Sequence, residues 1–118
     1  MDYLENLGIA ELNESYVSGK TNPREVVAGS LARIEKLEPQ LGAFEMVMAD
    51  QAIQAAEAST RAMSSGHRLG PFHGVPFVLK DLVHVKGTIT TGGANPHAER
   101  VSCKTAPIAH RLIAGGGI

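Results

Sequence analysis

Apolar side chains recur with the period of an α-helix over the first part of the chain. Within residues 9–17 they return every three or four positions, as on the buried face of an amphipathic helix. Gly19 follows at a position suited to end that helix. A second helix is predicted to begin at Pro23, because Asn22 is a favourable N-cap and Glu25 stands three residues after it.

The second helix has one apolar face and a stop signal. Val27, Leu31 and Ile34 mark the face, Leu37 extends it, and Pro39 predicts that the helix ends shortly before it. Residues 43–48 then predict a short strand. Asp50 is predicted to cap an alanine-rich helix that reaches about residue 63.

The remaining pattern predicts a strand, a long loop and a helix. Residues 75–79 are an unbroken apolar run, typical of a parallel strand that is covered on both faces, with Pro76 tolerated near its start. Residues 81–104 show little regular pattern, and loops of that length inside compact domains are usually functional or disordered. Thr105 is predicted to cap a last helix, with Pro107 in its first turn, that ends at the glycines 115–117.

Composition excludes several classes of protein. The 118 residues carry a net charge of −1, so no basic surface for a nucleic acid is expected. The single cysteine, Cys103, can form neither an internal disulfide nor a cysteine cluster for a metal. No signal peptide or apolar run long enough to span a membrane is found, so we expect a cytoplasmic protein that binds no membrane.

The candidate chemistry centres on Lys80, which follows the apolar run directly. An ammonium group in apolar surroundings is costly unless it is used, and burial favours the neutral amine, which can accept a proton. We therefore expect Lys80 to be catalytic and to lie in an apolar niche beside Val78 and Leu79. Asp81 would oppose this if its carboxylate lay close to the amine, so we expect it to bond backbone in the following loop.

Other interpretations of the same residues are weaker. Lys80 could simply extend into solvent from a strand end. A metal site is not favoured by the scattered histidines at 67, 73, 84, 97 and 110. A triad of His73, Asp81 and a serine is conceivable, but no serine has a supporting motif. The glycines 115–117 lack the lysine and hydroxyl residue of a phosphate-binding loop.

The residues around Lys80 resemble the amidase signature family, and the resemblance extends over roughly residues 8–118. Its most specific part is Gly70-Pro71-x-x-Gly74-Val75-Pro76-x-x-x-Lys80-Asp81. Further matches are Gly87, Thr90-Thr91-Gly92-Gly93, Thr105-Ala106-x-Ile108-x-x-Arg111-Leu112-x-Ala114-Gly115-Gly116 and the helical segment that starts at Asn22-Pro23. Ala94 and Gly117 depart from the family's commoner serine and alanine.

The resemblance implies an α/β fold, with a mixed sheet flanked by helices, and hydrolysis of a carbon–nitrogen amide bond through a Ser–cis-Ser–Lys triad. Lys80 matches the catalytic lysine. Both serines of the triad would lie in a Gly/Ser-rich segment beyond the lysine; only Ser102 follows here, in surroundings that do not match. Thr91, Gly92 and Gly93 are candidates for substrate binding. No cofactor or metal is implied.

We therefore expect residues 1–118 to form the N-terminal part of a single amidase domain, inactive alone. Residues 1–70 would be a mostly helical lead-in, and residues 71–118 a strand–loop–helix unit. The expected partner is a small-molecule amide, and a homodimer stays open. One alternative is a transamidating subunit of an aminoacyl-tRNA amidotransferase complex, although Leu82 replaces the asparagine commoner in that branch. Another is a non-catalytic binding or dimerisation fragment built on helices near residues 7–37.

Overall fold

The computed structural model describes residues 6–118, apart from the side chain of Asn95. Within them lie four α-helices and one short 3₁₀ turn. In chain order these are α1 (Ile9–Val17), α2 (Pro23–Leu41), α3 (Ala49–Ser64), the turn (Asn95–His97) and α4 (Pro107–Ala114). Each helix that the sequence predicts is present. In this described range no helix combines the length and apolar character that a bilayer span needs.

The start of α2 confirms the prediction, and its end corrects it. The Asn22 side chain accepts a hydrogen bond of 3.0 Å from the Glu25 N–H, and Pro23 occupies the first turn. Pro39, however, lies inside the helix instead of beyond it. A proline in the last turn removes only one helical donor. The helix ends at Gly42, whose left-handed conformation (φ 55°) lets its N–H bond the Glu38 carbonyl at 2.9 Å.

Two predictions before α3 are wrong. Met48, not Asp50, is the N-cap residue. Asp50 stands in the first turn, where its carboxylate interacts favourably with the positive end of the helix dipole. Residues 43–48 form no strand, because no other part of residues 6–118 pairs with them. The Phe44 N–H instead donates to the Glu38 carboxylate at 2.9 Å.

The cap of α4 also differs from the prediction. Ala106 is the N-cap residue, in an extended conformation, and it makes no side-chain cap. The Thr105 hydroxyl accepts a hydrogen bond of 3.0 Å from the Lys86 N–H instead. The threonine therefore joins the start of α4 to the preceding loop.

The buried core lies where α1, α2 and residue 75 meet. Leu12 and Tyr16 of α1 pack with Val26 of α2 and with Val75, and two partly buried residues close the cluster, Leu7 and Met63. Burial of side chains of this size is the main favourable term in folding, at about 25 cal/mol per Å² of apolar surface. The core thus anchors the segment that leads to Lys80.

Helices α2 and α3 pack against each other beside this core. Arg24 of α2 reaches two residues of α3: its N–H donates to the Thr60 hydroxyl at 3.1 Å, and its Nε lies 3.3 Å from a Glu57 carboxylate oxygen. Ala56 of α3 is fully buried, because its small side chain allows the helices to approach closely. The pair forms a platform under residues 67–74.

The predicted sheet is not confirmed in the described residues. The Ile118 N–H donates to the Val75 carbonyl at 2.9 Å, and the Phe77 N–H donates to the Ile118 carbonyl at 2.7 Å. Ile118 thus bonds the residues on both sides of Pro76, which is the hydrogen-bond pattern of two parallel strands. Over residues 6–118 the structure has no regular strand, only an isolated antiparallel bridge between Ile89 and Val101.

Candidate functional site

Gly74 lies where the segment that carries Lys80 leaves the helical platform. Its φ is 78°, and a Cβ there would lie 2.5 Å from Cγ of Pro23. Its carbonyl accepts a hydrogen bond of 2.8 Å from the buried Tyr16 hydroxyl. Burial raises the pKa of Tyr16 above its ordinary value. Only glycine fits this close contact, which fixes the start of the segment.

His73 is the most buried histidine of the described residues, at 2% exposure. Its Nδ1 accepts a hydrogen bond of 3.1 Å from the Leu69 N–H, and its Nε2 lies 3.2 Å from the Ser59 carbonyl of α3. Both ring nitrogens are thus engaged by backbone. The triad of His73, Asp81 and a serine is therefore not supported, because neither nitrogen is free for a side chain.

Backbone hydrogen bonds to residues 116 and 118 hold the beginning of the segment between Gly74 and Lys80. The Gly74 N–H donates to the Gly116 carbonyl at 2.8 Å, and the pairing with Ile118 follows over residues 75–77. Val78 is then 70% exposed. The structure therefore fixes the origin of the segment and leaves its later residues uncovered.

Lys80 lies at the exposed end of this segment, and the expected apolar niche is absent from the described residues. Its side chain is exposed, as is that of Val78, because nothing within residues 6–118 packs over them. Its carbonyl accepts hydrogen bonds from the N–H groups of Leu82 and Val83, at 2.7 and 2.9 Å, so the chain turns directly after it. Within that same range, no hydrogen bond or ion pair engages the Lys80 amine.

Asp81 bonds the following loop, as predicted. One carboxylate oxygen accepts a hydrogen bond of 2.9 Å from the Thr91 N–H, and the other accepts one from the Thr91 hydroxyl. The hydroxyl is the largest cause, and the backbone N–H the next, of a lowered pKa of the Asp81 carboxyl. Among the described residues, Asp81 and Lys80 form no ion pair. The carboxylate therefore braces the loop.

The turn at residues 91–93 uses its own donors internally. The Gly92 N–H donates to the Asp81 carbonyl at 2.8 Å, and the Gly93 N–H donates to the Thr91 hydroxyl at 3.0 Å. The Ala94 N–H donates to the Thr91 carbonyl at 3.1 Å. These donors hold the turn beside Lys80, and substrate binding by Thr91, Gly92 and Gly93 stays a prediction.

A second polar cluster, which the sequence did not predict, closes the same loop. The Ser102 hydroxyl, on a residue only 5% exposed, lies 2.9 Å from Nδ1 of His84 and 3.0 Å from the buried Thr90 hydroxyl. The Ser102 N–H donates to the Thr88 carbonyl at 2.8 Å. The alternation of threonine and isoleucine at residues 88–90 was the available signal for an extended segment.

Three serine hydroxyls that could be considered as nucleophiles are engaged in other hydrogen bonds. The hydroxyls of Ser64 and Ser65 donate to carbonyls one turn earlier, at the end of α3. Ser102 is buried within the His84 cluster. None of these three hydroxyls is bonded to Lys80.

Comparison with known proteins finds one family. The sequence profile of the Amidase family matches residues 25–118. The chain is 32% identical over 112 residues to an acylamidase from Rhodococcus erythropolis, a match that covers 95% of this chain and 24% of that protein. It is 34% identical over 113 residues to a glutamyl-tRNA(Gln) amidotransferase subunit from Synechococcus sp. (strain CC9605), covering 96% and 23% respectively.

A solved structure agrees with these relatives. The native peptide amidase from Stenotrophomonas maltophilia superimposes with a TM-score of 0.88 at 25% sequence identity, over 97% of this chain and 24% of that chain. The chain thus spans about a quarter of the length of the proteins it matches. Lys80, Asp81 and the 91–93 turn all lie inside the matched residues.

Proposed function

Since this chain belongs to the amidase signature family, we propose that it supplies the catalytic lysine of an amide hydrolase. The observation that carries the proposal is the exposure of the Lys80 amine. It is exposed and unengaged among the described residues, at the end of a segment whose origin is rigidly held. An amine in that position is available to a nucleophile from the rest of an amidase fold.

The proposed chemistry divides amide hydrolysis into two steps. The neutral amine of Lys80 accepts, through a bridging serine, the proton of a serine hydroxyl that attacks the amide carbonyl. The tetrahedral intermediate collapses to an acyl-serine ester, and the proton returns to the leaving amine. Water then attacks the ester with the same base, which releases the carboxylic acid. Both serines belong to the part of the fold that this chain does not contain.

The proposal also concerns the surroundings of Lys80. We infer that residues 75–80 and 118 belong to a mixed sheet whose further strands and helices cover Val78. The parallel pairing of residues 75–77 with Ile118 supports this. Covering the segment would exclude water from the amine and favour its neutral form. In this proposal residues 1–118 are the N-terminal part of one amidase domain, working in the cytoplasm on a small-molecule amide.

The test uses an acylamidase chimera, in which this chain replaces the aligned segment of the Rhodococcus erythropolis acylamidase. The chimera should hydrolyse an amide that the acylamidase hydrolyses, and Lys80→Met should lower kcat by at least about 10³-fold, since the base is lost. Lys86→Met, in the same loop, is the matched control and should leave kcat unchanged. Full turnover by Lys80→Met would refute the proposal.

A transamidating role is the second candidate, supported by the 34% identity to a tRNA amidotransferase component. In this function the same lysine would act as the base when the C–N bond of an amide breaks, and the ammonia that leaves would be transferred within a complex. Leu82, next to Asp81, counts against it. Affinity purification of a tagged chain from its native cell distinguishes the two functions, because only the transamidating function predicts copurifying partner proteins. If the chain forms a stable homodimer and the acylamidase chimera is inactive, the non-catalytic fragment is favoured instead.

A further inference from the structure

The hydrogen bonds of His73 define the protonation of its ring. The Leu69 N–H can only donate, so Nδ1 must carry a lone pair and no hydrogen. The Ser59 carbonyl can only accept, so Nε2 must carry the hydrogen. The geometry therefore requires the neutral ring with its hydrogen on Nε2.

The same residue is pressed against the glycines that follow α4. Gly116 has a φ of 90°, and a Cβ there would lie 2.7 Å from Cα of His73 and 3.2 Å from its Nδ1. The peptide after His73 continues this contact, because the Gly74 N–H donates to the Gly116 carbonyl. His73 thus touches α3 on one side and the 115–117 turn on the other.

We propose that His73 is a positioning residue for Lys80. Its neutral ring ties α3 to the origin of the lysine segment, and the residue lies against Gly116, two positions before the Ile118 that pairs with residues 75–77. The proposal rests on the catalytic role proposed for Lys80. It adds a residue that never touches the substrate and acts through the backbone.

The route from His73 to Lys80 is short, and it is one of two supports of the lysine, the other being the bonds of Asp81 to Thr91 and Gly92. Residues 74–77 are bonded to residues 116 and 118, and no backbone hydrogen bond is made by the N–H or carbonyl groups of Val78 and Leu79. Residues 78–80 therefore span between the anchor at residues 73–77 and the anchor at Asp81, and a shift of the first anchor moves the start of that span. A displacement of about 1 Å at a catalytic group can cost about 10²-fold in rate.

Two variants separate the two bonds of the ring. In His73→Asn, the side-chain oxygen can stand in for Nδ1 and accept from Leu69, but the bond to Ser59 is lost. In His73→Gln, the amide nitrogen can reach the position of Nε2 and donate to Ser59, but the acceptor for Leu69 is lost. In the acylamidase chimera each should lower kcat by about 10–100-fold while KM changes by less than about threefold.

The readouts distinguish positioning from stability alone. Each variant is assayed well below its own melting temperature, with Lys80→Met measured in parallel. A loss of kcat in folded protein supports the proposal. A lower melting temperature with unchanged kcat means that His73 only stabilises the fold, which overturns it. If Lys80→Met itself keeps full turnover, there is no lysine to position, and both proposals fail.

A spectroscopic measurement on the unsubstituted protein keeps the proposal testable if neither variant folds. Nitrogen-15 NMR of the histidine rings in the acylamidase chimera reports which nitrogen of His73 carries hydrogen. The proposal requires hydrogen on Nε2 alone, both in the free chimera and in its acylated form. A doubly protonated ring, or hydrogen on Nδ1 alone, would contradict the two hydrogen bonds of His73 and overturn the inference.

Discussion

Asp81 and Thr91 are joined by two hydrogen bonds, from the backbone N–H and the hydroxyl of Thr91 to the two oxygens of one carboxylate. Ten residues separate them, so the pair closes the loop that follows Lys80. Because the Asp81 carbonyl also accepts from the Gly92 N–H, the backbone and side chain of Asp81 face the same turn. The residue after the candidate base is thus held away from that base by its own loop.

Replacing Thr91 should loosen this loop in a pH-dependent way. Thr91→Val keeps the shape and removes the hydroxyl donor, so the variant should unfold at a lower denaturant concentration than Thr91→Ser, which keeps the donor. The lowered pKa of Asp81 adds stability above the ordinary value of 3.8, and that stability is lost as the pH falls through the folded-state pKa.

The measurement is urea unfolding of the chain and both variants between pH 2 and pH 7. The difference between Thr91→Val and the unsubstituted chain should be full at pH 5–7 and should shrink below about pH 4, as the carboxylate is protonated. A difference that stays constant down to pH 2 would mean that the hydroxyl does not act through the Asp81 charge.

Gly116→Ala should be much more destabilising than Gly87→Ala. Both glycines have similar positive φ angles, 90° and 85°, so both alanines carry the same backbone strain of about 1–3 kcal/mol. Only at Gly116 does the new methyl group meet another residue, His73, whereas nothing lies within 4 Å at Gly87. The clash should add about 1–3 kcal/mol.

Thermal and denaturant unfolding of the two variants measure this difference directly. Because the strain is shared, subtracting one variant from the other isolates the contact with His73. Equal stability of the two alanine variants would show that the approach of His73 to Gly116 is not as close as the structure has it.

Tyr16→Phe should lower the free energy of unfolding by about 1–2 kcal/mol, because the Gly74 carbonyl loses its donor in a buried site. The raised pKa of Tyr16 gives a second signature. The stability that its neutral hydroxyl contributes is full below the ordinary pKa of 10.0 and is lost as the pH rises above it.

The check is the free energy of unfolding from pH 7 to pH 11 for both proteins. The gap between them should be constant up to about pH 9 and should close above pH 10, since only the unsubstituted chain must ionise a buried phenol. A gap that widens with rising pH has the opposite sign and would rule out this account of Tyr16.

Local signals in the sequence predicted the four helices, but of the three predicted N-caps only Asn22 is confirmed, whereas Asp50 and Thr105 are not caps. Asn22 and Pro23 act within one turn of helix, and they mark the start of α2 as predicted. Pro39 misled because a proline in a final turn costs one hydrogen bond, which Gly42 and the Glu38 carbonyl offset. Residues 43–48 misled because apolar character alone does not supply a partner strand.

In the candidate site, too, the sequence predicted some features and missed those that depend on residues distant along the chain. The bond from Asp81 to the loop followed from the need to keep a carboxylate away from Lys80, and it is confirmed. The His84–Ser102 pair was missed because it depends on residues 100–102 returning to residues 88–90, which no local pattern encodes. The niche around Lys80 was expected from the apolar run, but no part of residues 6–118 packs over Val78, which is exposed.

The central claim is that the Lys80 amine removes the proton of a serine nucleophile, and mass spectrometry of the acylamidase chimera tests it most directly. Mixed briefly with an amide substrate and quenched in acid, the unsubstituted chimera and its Lys86→Met control should each gain the mass of one acyl group. The Lys80→Met protein should gain none on that timescale. Acylation of Lys80→Met at the same rate as the control would contradict the claim.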